Sequence, residues 1–136
     1  MDWSKNQIKE FQQDLLSWYD DNKKPLPWRK TTEPYKIWIS EIMSQQTQVE
    51  TVMPYYERFM KKYPTIETLA QADDAELLKL WEGLGYYSRA RNLKIAAQEV
   101  VDKYNGKFPD NLADILSLKG IGPYTAAAIA SISFGL

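Results

Sequence analysis

Apolar residues recur at the spacing of an α-helix along almost the whole chain, and no segment of useful length alternates apolar and polar residues as a strand does. The sequence also contains no repeat of fixed period and no low-complexity tract. Because amphipathic helices bury their apolar stripes against one another, this pattern predicts an all-α fold. The length of 136 residues is that of one domain with a sizeable core.

The N-terminal region is predicted to form one helix and a connector. Ser4 and Gln7 are spaced as a capping box, and an apolar stripe follows from Ile8 to Tyr19. The next stretch, DDNKKPLPWRKTTEP, carries three prolines and alternating charge, which is typical of a connector. We therefore divide the chain into residues 1–27, a helix with a Pro-rich connector, and residues 28–136, a helical domain.

Three later helices have recognisable start or stop signals. Short polar residues accept hydrogen bonds at helix starts, and glycine or asparagine adopts the left-handed conformation that ends helices. The predicted boundaries are Asp73 or Asp74 to Gly83, about Tyr87 to the Asn105-Gly106 pair, and a start at Asn111.

The segment EIMSQQTQVETV, residues 41–52, places one carboxylate in front of a row of amide side chains. One straight helix over residues 35–56 would put Gln46 in the middle of an apolar face, which is unfavourable for an amide without a partner. The alternative is a helix that ends near Gln45, followed by a second helix that starts at Thr47, where Thr47 and Glu50 form a capping box. We expect this second arrangement, with the glutamines at the junction.

Carboxylates and hydroxyls are the available acid–base groups, because the sequence contains neither cysteine nor histidine. Without cysteine, these residues cannot form disulfides or ligate iron–sulfur clusters, and no metal site is predicted. Glu41 lies about 100° from the centre of the apolar face of its helix, which places it at the edge of a cleft. The alternative from the pattern alone is an ordinary acid on a helix surface.

Charge and hydropathy predict a cytoplasmic protein. The net charge is −1, the apolar runs are too short to span a membrane, and MDWSKNQIKE lacks the pattern of a signal peptide. Basic residues occur only in small local groups, which are usually solvated faces.

The segment LKGIGPYTAAAIAS, residues 118–131, joins two predicted helices through a Gly-Ile-Gly turn. Pro123 suits the first turn of the second helix, and the alanines that follow permit close packing. Glycine lets the backbone approach a ligand, and the N–H groups at a helix start favour an anion such as phosphate. A simple interhelical turn is the alternative, since Gly-x-Gly has little specificity by itself. The predicted phosphate-binding residues are Gly120, Ile121, Gly122, Tyr124 and Thr125.

Four segments resemble a known family. LKGIGPYTA is similar to the helix-hairpin-helix of the DNA glycosylase superfamily, and PLPWR, SEIMSQQTQVETVMPYYERF and WEGLGYYSRARNL resemble signature segments of A/G-specific adenine DNA glycosylases. The resemblance runs from about Trp18 to Leu136, with Lys119 where many members carry proline. It implies the six-helix-barrel half of the helix-hairpin-helix glycosylase fold. It also implies base excision repair, in which adenine mispaired with guanine or 8-oxoguanine is removed from double-stranded DNA.

The resemblance implies roles for individual residues. Glu41 matches the catalytic acid that protonates the adenine ring so that the N-glycosidic bond breaks, and Tyr124 matches a tyrosine that assists at the reacting centre. Gln46 and Tyr86 match side chains that wedge into the duplex when the adenine nucleotide is flipped out. From the pattern alone, the apolar residues of the adenine pocket are also compatible with plain core positions, and Arg89 with a solvated face. The positions that resemble that pocket are Leu26, Trp28, Arg29, Val49 and Arg89.

The resemblance also implies parts that these residues do not contain. A second carboxylate, an aspartate, is expected beyond the final SISFGL, followed by four cysteines for a [4Fe–4S] cluster and a domain that recognises 8-oxoguanine. The N-terminal helix is expected to pack on the cluster half. We therefore expect a fragment with little or no activity, weak and salt-sensitive DNA binding, and self-association through the exposed stripe of its N-terminal helix.

Other classes of function remain open at this level. A pyrimidine-releasing glycosylase of the same superfamily is one, although Tyr124 without a lysine after the turn favours a hydrolytic enzyme over one with a lysine nucleophile. A non-catalytic helical-hairpin DNA-binding module, or a protein-interaction domain with vestigial motifs, is the alternative outside enzymes. Equal binding to A·G and A·T duplexes would favour the DNA-binding module or the protein-interaction domain over an enzyme.

Overall fold

The computed structural model describes residues 31–45 and 47–136. Over these ranges the secondary structure is helical, without strands, which confirms the all-α prediction. The predicted N-terminal helix, the Pro-rich connector and the boundary between residues 27 and 28 lie outside the described residues. The described helices are α1 (Pro34–Ser44), α2 (Val49–Lys62), α3 (Ile66–Ala70), α4 (Asp74–Trp81), α5 (Ser88–Tyr104), α6 (Leu112–Leu116) and α7 (Pro123–Phe134).

The break predicted after Gln45 is confirmed. Helix α1 ends at Ser44, and Gln45 adopts an extended backbone with φ −64° and ψ 118° while its N–H donates to the carbonyl of Ile42. The chain then turns before α2 begins at Val49. A single helix through this segment is therefore wrong, and the apolar stripes of α1 and α2 face the core independently.

The capping box predicted for Thr47 and Glu50 is wrong. The N-cap of α2 is Gln48, one residue later than expected, and its side chain makes no capping hydrogen bond. The Thr47 hydroxyl instead donates to the Gln45 carbonyl at 3.4 Å. Thr47 therefore closes the turn at the end of α1 and does not start α2.

The three later boundaries are confirmed with their predicted chemistry. The Asp73 carboxylate accepts from the N–H of Glu76 at 3.0 Å and starts α4. Asn105 ends α5 in the left-handed conformation, at φ 55°. Asn111 accepts from the N–H of Asp114 at 2.9 Å and starts α6. Local side-chain capping is therefore sufficient to locate these helix ends.

Helix α3 is an element that the periodicity did not predict. Its 5 residues are too few to show a period of 3.6. The helix is specified by a capping box in which Thr65 and Thr68 each accept from the other's backbone N–H, at 3.2 and 3.1 Å. A threonine here replaces the usual Glu or Gln at the third helical position. The short helix packs against α5.

Helix α1 is the central element of the core. It packs against α2 and α7, and most of its residues are buried, including Trp38. The Trp38 ring contacts Phe108 with 5.8 Å between centroids, and on the α2–α4 side Phe59 and Trp81 meet edge to face at 6.4 Å. On α7 the residues 125–130 are all buried, and four of them are alanines, so that α7 can approach α1 closely.

Buried tyrosines predict how the stability changes at high pH. Burial raises the pKa of Tyr56 to about 12 and also raises the pKa values of Tyr35 and Tyr63. Because the folded-state pKa values exceed the unfolded value of about 10, this contribution to stability is complete below pH ~10 and is lost as the pH rises through the folded values. We expect the denaturant midpoint to fall between pH ~10 and ~12.

A Tyr56→Phe variant is the control for this titration, because it removes one of the groups that must ionise. Its denaturant midpoint, measured over the same pH series, is expected to fall less steeply than that of the unmodified chain. Equal slopes for the two proteins would contradict the assignment of the alkaline loss to this tyrosine.

Candidate active site

Glu41 lies on the buried α1 and is only 8% exposed. The alternative of an ordinary surface acid is therefore wrong, because neighbouring helices cover α1 on more than its apolar stripe. The position at the edge of a cleft stays a prediction. A buried carboxylate requires a compensating environment, and this position is where the resemblance places the proton donor.

Tyr124 lies in the electrostatic field of Glu41. Partial burial raises the pKa of the Tyr124 phenol, and the negative charge of Glu41 raises it further. The phenol therefore stays protonated at neutral pH. Its side chain is 49% exposed, at the first turn of α7. The fold thus brings together two residues that are far apart in the sequence and that the resemblance assigns to the same reacting centre.

A polar contact joins the ends of the two helices that carry these residues. The Gln45 side-chain amide donates to the Thr125 hydroxyl at 3.3 Å, across 80 residues of sequence, and Thr125 is fully buried. This contact links the C-terminal end of α1 to the first turn of α7. Sequence reasoning placed Gln45 at a junction but missed its partner, because no local pattern signals a contact over that separation.

The Gly-Ile-Gly turn has the geometry of a specific hairpin. Gly120 adopts φ +78°, and a Cβ there would lie 2.8 Å from the Cβ of Asn92 on α5. Ile121 is buried, as is Leu118 before the turn, so these two residues anchor the turn in the core. A glycine is therefore required at position 120 by both conformation and space.

The hairpin turn is also held from α5 by a side chain that the sequence did not single out. The Glu99 carboxylate accepts from the backbone N–H of Lys119 at 2.9 Å. Within the part of the chain that the structure describes, the N–H of Ile121 donates to the carbonyl of Leu118 at 3.2 Å, whereas the N–H groups of Gly120 and Gly122 make no backbone hydrogen bond. Two N–H groups of the turn therefore remain available to an anion.

The loop between α4 and α5, residues 82–87, contains three positive φ angles. Gly83 and Gly85 have φ values of +99° and +75°, as glycine permits, but Tyr86 has φ 50°. A bulky residue in this region is strained by about 1–3 kcal/mol and marks functional loops more often than ordinary turns. Tyr86 is also 65% exposed, so most of its ring faces solvent.

Arg89 is half-buried and binds backbone carbonyls of two different segments, so the alternative of a solvated residue is wrong. Its Nη1 donates to the carbonyls of Ile42 and Gln45 at 2.7 and 2.8 Å. Its Nη2 donates to the carbonyls of Leu84 and Gly85, both at 3.3 Å. Burial lowers the pKa of this guanidinium. The group nevertheless stays protonated at neutral pH, because the pKa of arginine is very high.

Of the remaining predicted site residues, the structure describes only Val49. Val49, the first residue of α2, is half-buried and packs against the core cluster. Three residues of the predicted adenine pocket and one of the two wedge residues lie outside the described residues, so their roles stay predictions. These are Leu26, Trp28, Arg29 and Gln46.

Searches for metal-binding clusters and membrane spans found neither in the described parts of the chain. No group of three or more His, Cys, Asp or Glu side chains within residues 31–45 and 47–136 is arranged to hold a metal ion. Over the same ranges, no helix has the length and apolar character needed to cross a membrane.

The sequence places this all-helical chain with its helical hairpin in a class of DNA-repair proteins. Residues 39–130 match the model of the HhH-GPD superfamily of base excision DNA repair proteins. The chain belongs to this family.

Within the family, the chain is similar to proteins named adenine DNA glycosylase. It is 51% identical over 127 residues to that of Buchnera aphidicola subsp. Baizongia pistaciae, which covers 93% of this chain and 36% of the relative. It is 46% identical over 138 residues to the human protein, covering 95% of this chain and 25% of the relative. The chain therefore spans about a quarter to a third of the length of these relatives.

Solved structures with the same fold include a thermostable thymine-DNA glycosylase and endonuclease III in a non-covalent complex with DNA. The first has a TM-score of 0.79 and 34% identity, and covers 94% of this chain and 59% of its own. The second has a TM-score of 0.74 and 26% identity, with coverages of 98% and 62%.

Proposed function

We propose that the protein carrying this chain is an adenine DNA glycosylase that flips out and hydrolytically removes adenine mispaired with guanine or 8-oxoguanine. The observation that carries the proposal is the buried Glu41 carboxylate beside Tyr124 at the start of the hairpin helix, in a chain without cysteine or histidine. The similarity to adenine DNA glycosylases supports the choice of base.

Glu41 acts in this proposal as the general acid. Its proton passes to a ring nitrogen of adenine, and the electron pair of the N-glycosidic bond leaves with the base. The sugar becomes an oxocarbenium-like species, which water attacks to complete the hydrolysis, and the Glu41 carboxylate that has given up its proton accepts one from that water. Tyr124 remains a neutral phenol near Glu41 because its pKa is raised, so it offers the reacting centre an O–H dipole without a negative charge of its own.

DNA is held and opened by the surfaces around this acid. The N–H groups of Gly120 and Gly122 bind phosphate oxygens, and the exposed Tyr86 enters the base stack together with Gln46. Flipping the nucleotide requires a few kcal/mol of unstacking, which pocket contacts offset. The pocket is formed by Leu26, Trp28, Arg29, Val49 and Arg89, as the resemblance implies.

A [4Fe–4S] cluster does not fit these residues, because none of the 136 is a cysteine. We propose that the cluster ligands and the second catalytic carboxylate lie in the rest of the gene product. The protein is proposed to work in the cytoplasm, at the nucleoid if the cell is bacterial.

A single-turnover excision assay on the full-length gene product tests the proposed function. We expect adenine release from duplexes with A opposite 8-oxoguanine or guanine, and little release from A·T duplexes. Borohydride is expected to trap no covalent enzyme–DNA adduct, because the hairpin carries Tyr124 where lyases would need a lysine. Efficient trapping, or absence of adenine release, would contradict the proposal.

Release of a pyrimidine is the second candidate function. The observation that favours this candidate is the similarity of the fold to the thymine-DNA glycosylase, at a TM-score of 0.79. A T·G duplex in the same assay decides between the two, because an adenine-specific pocket would leave the thymine intact.

Gly122 offers a test of the phosphate site that separates binding from folding. Its φ is −87°, and a Cβ there would meet no atom within 4 Å, so alanine fits the fold. We expect Gly122→Ala to keep the thermal midpoint but to weaken DNA binding about tenfold, since a bound phosphate could no longer approach as closely. Fluorescence anisotropy with a labelled duplex measures the affinity.

Gly120→Ala is the comparison for this variant. Its Cβ would press on Asn92 at φ +78°, so both stability and DNA binding should fall. Unchanged DNA affinity in Gly122→Ala would show that no phosphate approaches the turn.

A further inference from the structure

Arg89 supplies a cap for the helix that carries Glu41. The last four carbonyls of a helix have no intrahelical donor, and a cation near them also interacts favourably with the helix dipole. The guanidinium donates to the carbonyls of Ile42 and Gln45, which lie one and four residues beyond the acid. The end of α1 is thus satisfied by a side chain from α5, 47 and 44 residues away in sequence.

The same guanidinium holds the strained loop that presents Tyr86. It donates to the carbonyls of Leu84 and Gly85. Its Cζ atom lies 5.5 Å from the centre of the Tyr86 ring and 5.4 Å from the centre of the Trp81 ring. The Trp81 indole also donates to the Gly85 carbonyl at 3.0 Å. One planar cation therefore connects the end of α1 with the loop of residues 82–87, two segments that lie far apart in the sequence.

We propose that Arg89 is a positioning residue for base release, which holds the end of the Glu41 helix and the Tyr86 loop at one fixed separation. The inference rests on the proposed function and refines it, because the Nη donors of Arg89 are engaged by protein carbonyls and are not free to read the adenine. Proton donor and wedge must act on the same nucleotide, so their spacing sets how far the flipped base lies from the acid. A misplacement of about 1 Å at such a centre lowers a rate by about a hundredfold.

Arg89→Lys is the first variant, since an ammonium keeps the charge but lacks the fork that serves both segments. We expect single-turnover adenine release to slow by about a hundredfold, while the DNA dissociation constant changes by less than about threefold. Arg91→Lys is the matched control, because it lies on the same helix, is exposed, and its side chain makes no hydrogen bond or ion pair in the described residues. Its release rate should be unchanged.

Chemical rescue separates positioning from a general loss of structure. Arg89→Ala leaves a space that ethylguanidinium can fill, so added ethylguanidinium should restore part of the release rate, whereas ethylammonium at equal ionic strength should not. The fluorescence of 2-aminopurine beside the target adenine reports flipping, and its amplitude should recover with the rate.

The outcomes distinguish the two proposals. A normal release rate in Arg89→Lys, or loss of rate in step with thermal stability and without guanidinium rescue, would overturn the positioning role alone. A loss of DNA affinity equal to the loss of rate would place Arg89 in DNA binding and would overturn it too. Absence of adenine release from the unmodified protein would overturn the proposed function, and the positioning role with it.

Discussion

Glu41→Gln is expected to remove nearly all adenine release from the full-length gene product, by about a hundred- to ten-thousandfold. Glutamine has the size of glutamate but cannot transfer a proton, so the leaving base would depart unprotonated. DNA affinity should remain close to that of the unmodified protein, because Glu41 is buried and, in the proposed mechanism, would meet the DNA only at the flipped base. Single-turnover kinetics and equilibrium binding on the same 8-oxoguanine duplex measure the two effects separately.

Glu57→Gln is the control, because it makes the same substitution at an exposed position of α2. It should leave both release and binding unchanged. If Glu41→Gln released adenine at nearly the unmodified rate, the assignment of the acid would be wrong, and the buried carboxylate would need another explanation.

Trp81→Ala is expected to lower the free energy of unfolding by about 3–5 kcal/mol, because it opens a large cavity at a fully buried position. The substitution removes the edge-to-face contact with Phe59 and leaves the carbonyl of Gly85 without its indole donor. The loop of residues 82–87 should therefore loosen along with the core. Denaturant unfolding followed by far-UV circular dichroism gives the change in stability.

Two conservative variants separate the hydrogen bond from the packing. Trp81→Phe loses the bond to Gly85, whereas Trp38→Phe removes an indole N–H that has no partner among the described residues. The Trp81 variant should be the less stable of the two by about 1 kcal/mol, the typical net contribution of one hydrogen bond, because the Gly85 carbonyl keeps only its longer bond from Arg89. Equal stabilities would contradict a structural role for this hydrogen bond.

Helix boundaries could be predicted from the sequence because capping is local. Asp73, Asn105 and Asn111 act within a few residues of their own positions, so their identities alone locate the start of α4, the end of α5 and the start of α6. The same reasoning failed at Thr47, since a threonine can close the turn before it as easily as it caps the helix after it.

The Gly-Ile-Gly turn and the all-α fold were also predictable, for a similar reason. The two glycines of the turn are visible in the sequence, and Gly120 adopts a positive φ that glycine permits, while the apolar period that defines the longer helices is present in the amino-acid order itself. What the turn binds is a proposal that rests on family resemblance, because geometry at one glycine does not identify a ligand.

The sequence by itself thus determined most of the described helices, most of their ends, the hairpin and the family signature, all of which depend on neighbouring residues. Only the tertiary structure decided that Glu41 is buried, that Gln45 bonds Thr125 across 80 residues, and that Arg89 caps one segment while it holds another. These contacts depend on how α1, α5 and α7 pack. A helical period states which face is apolar but not which helix will cover it, so long-range partners of polar groups are decided only when the core assembles.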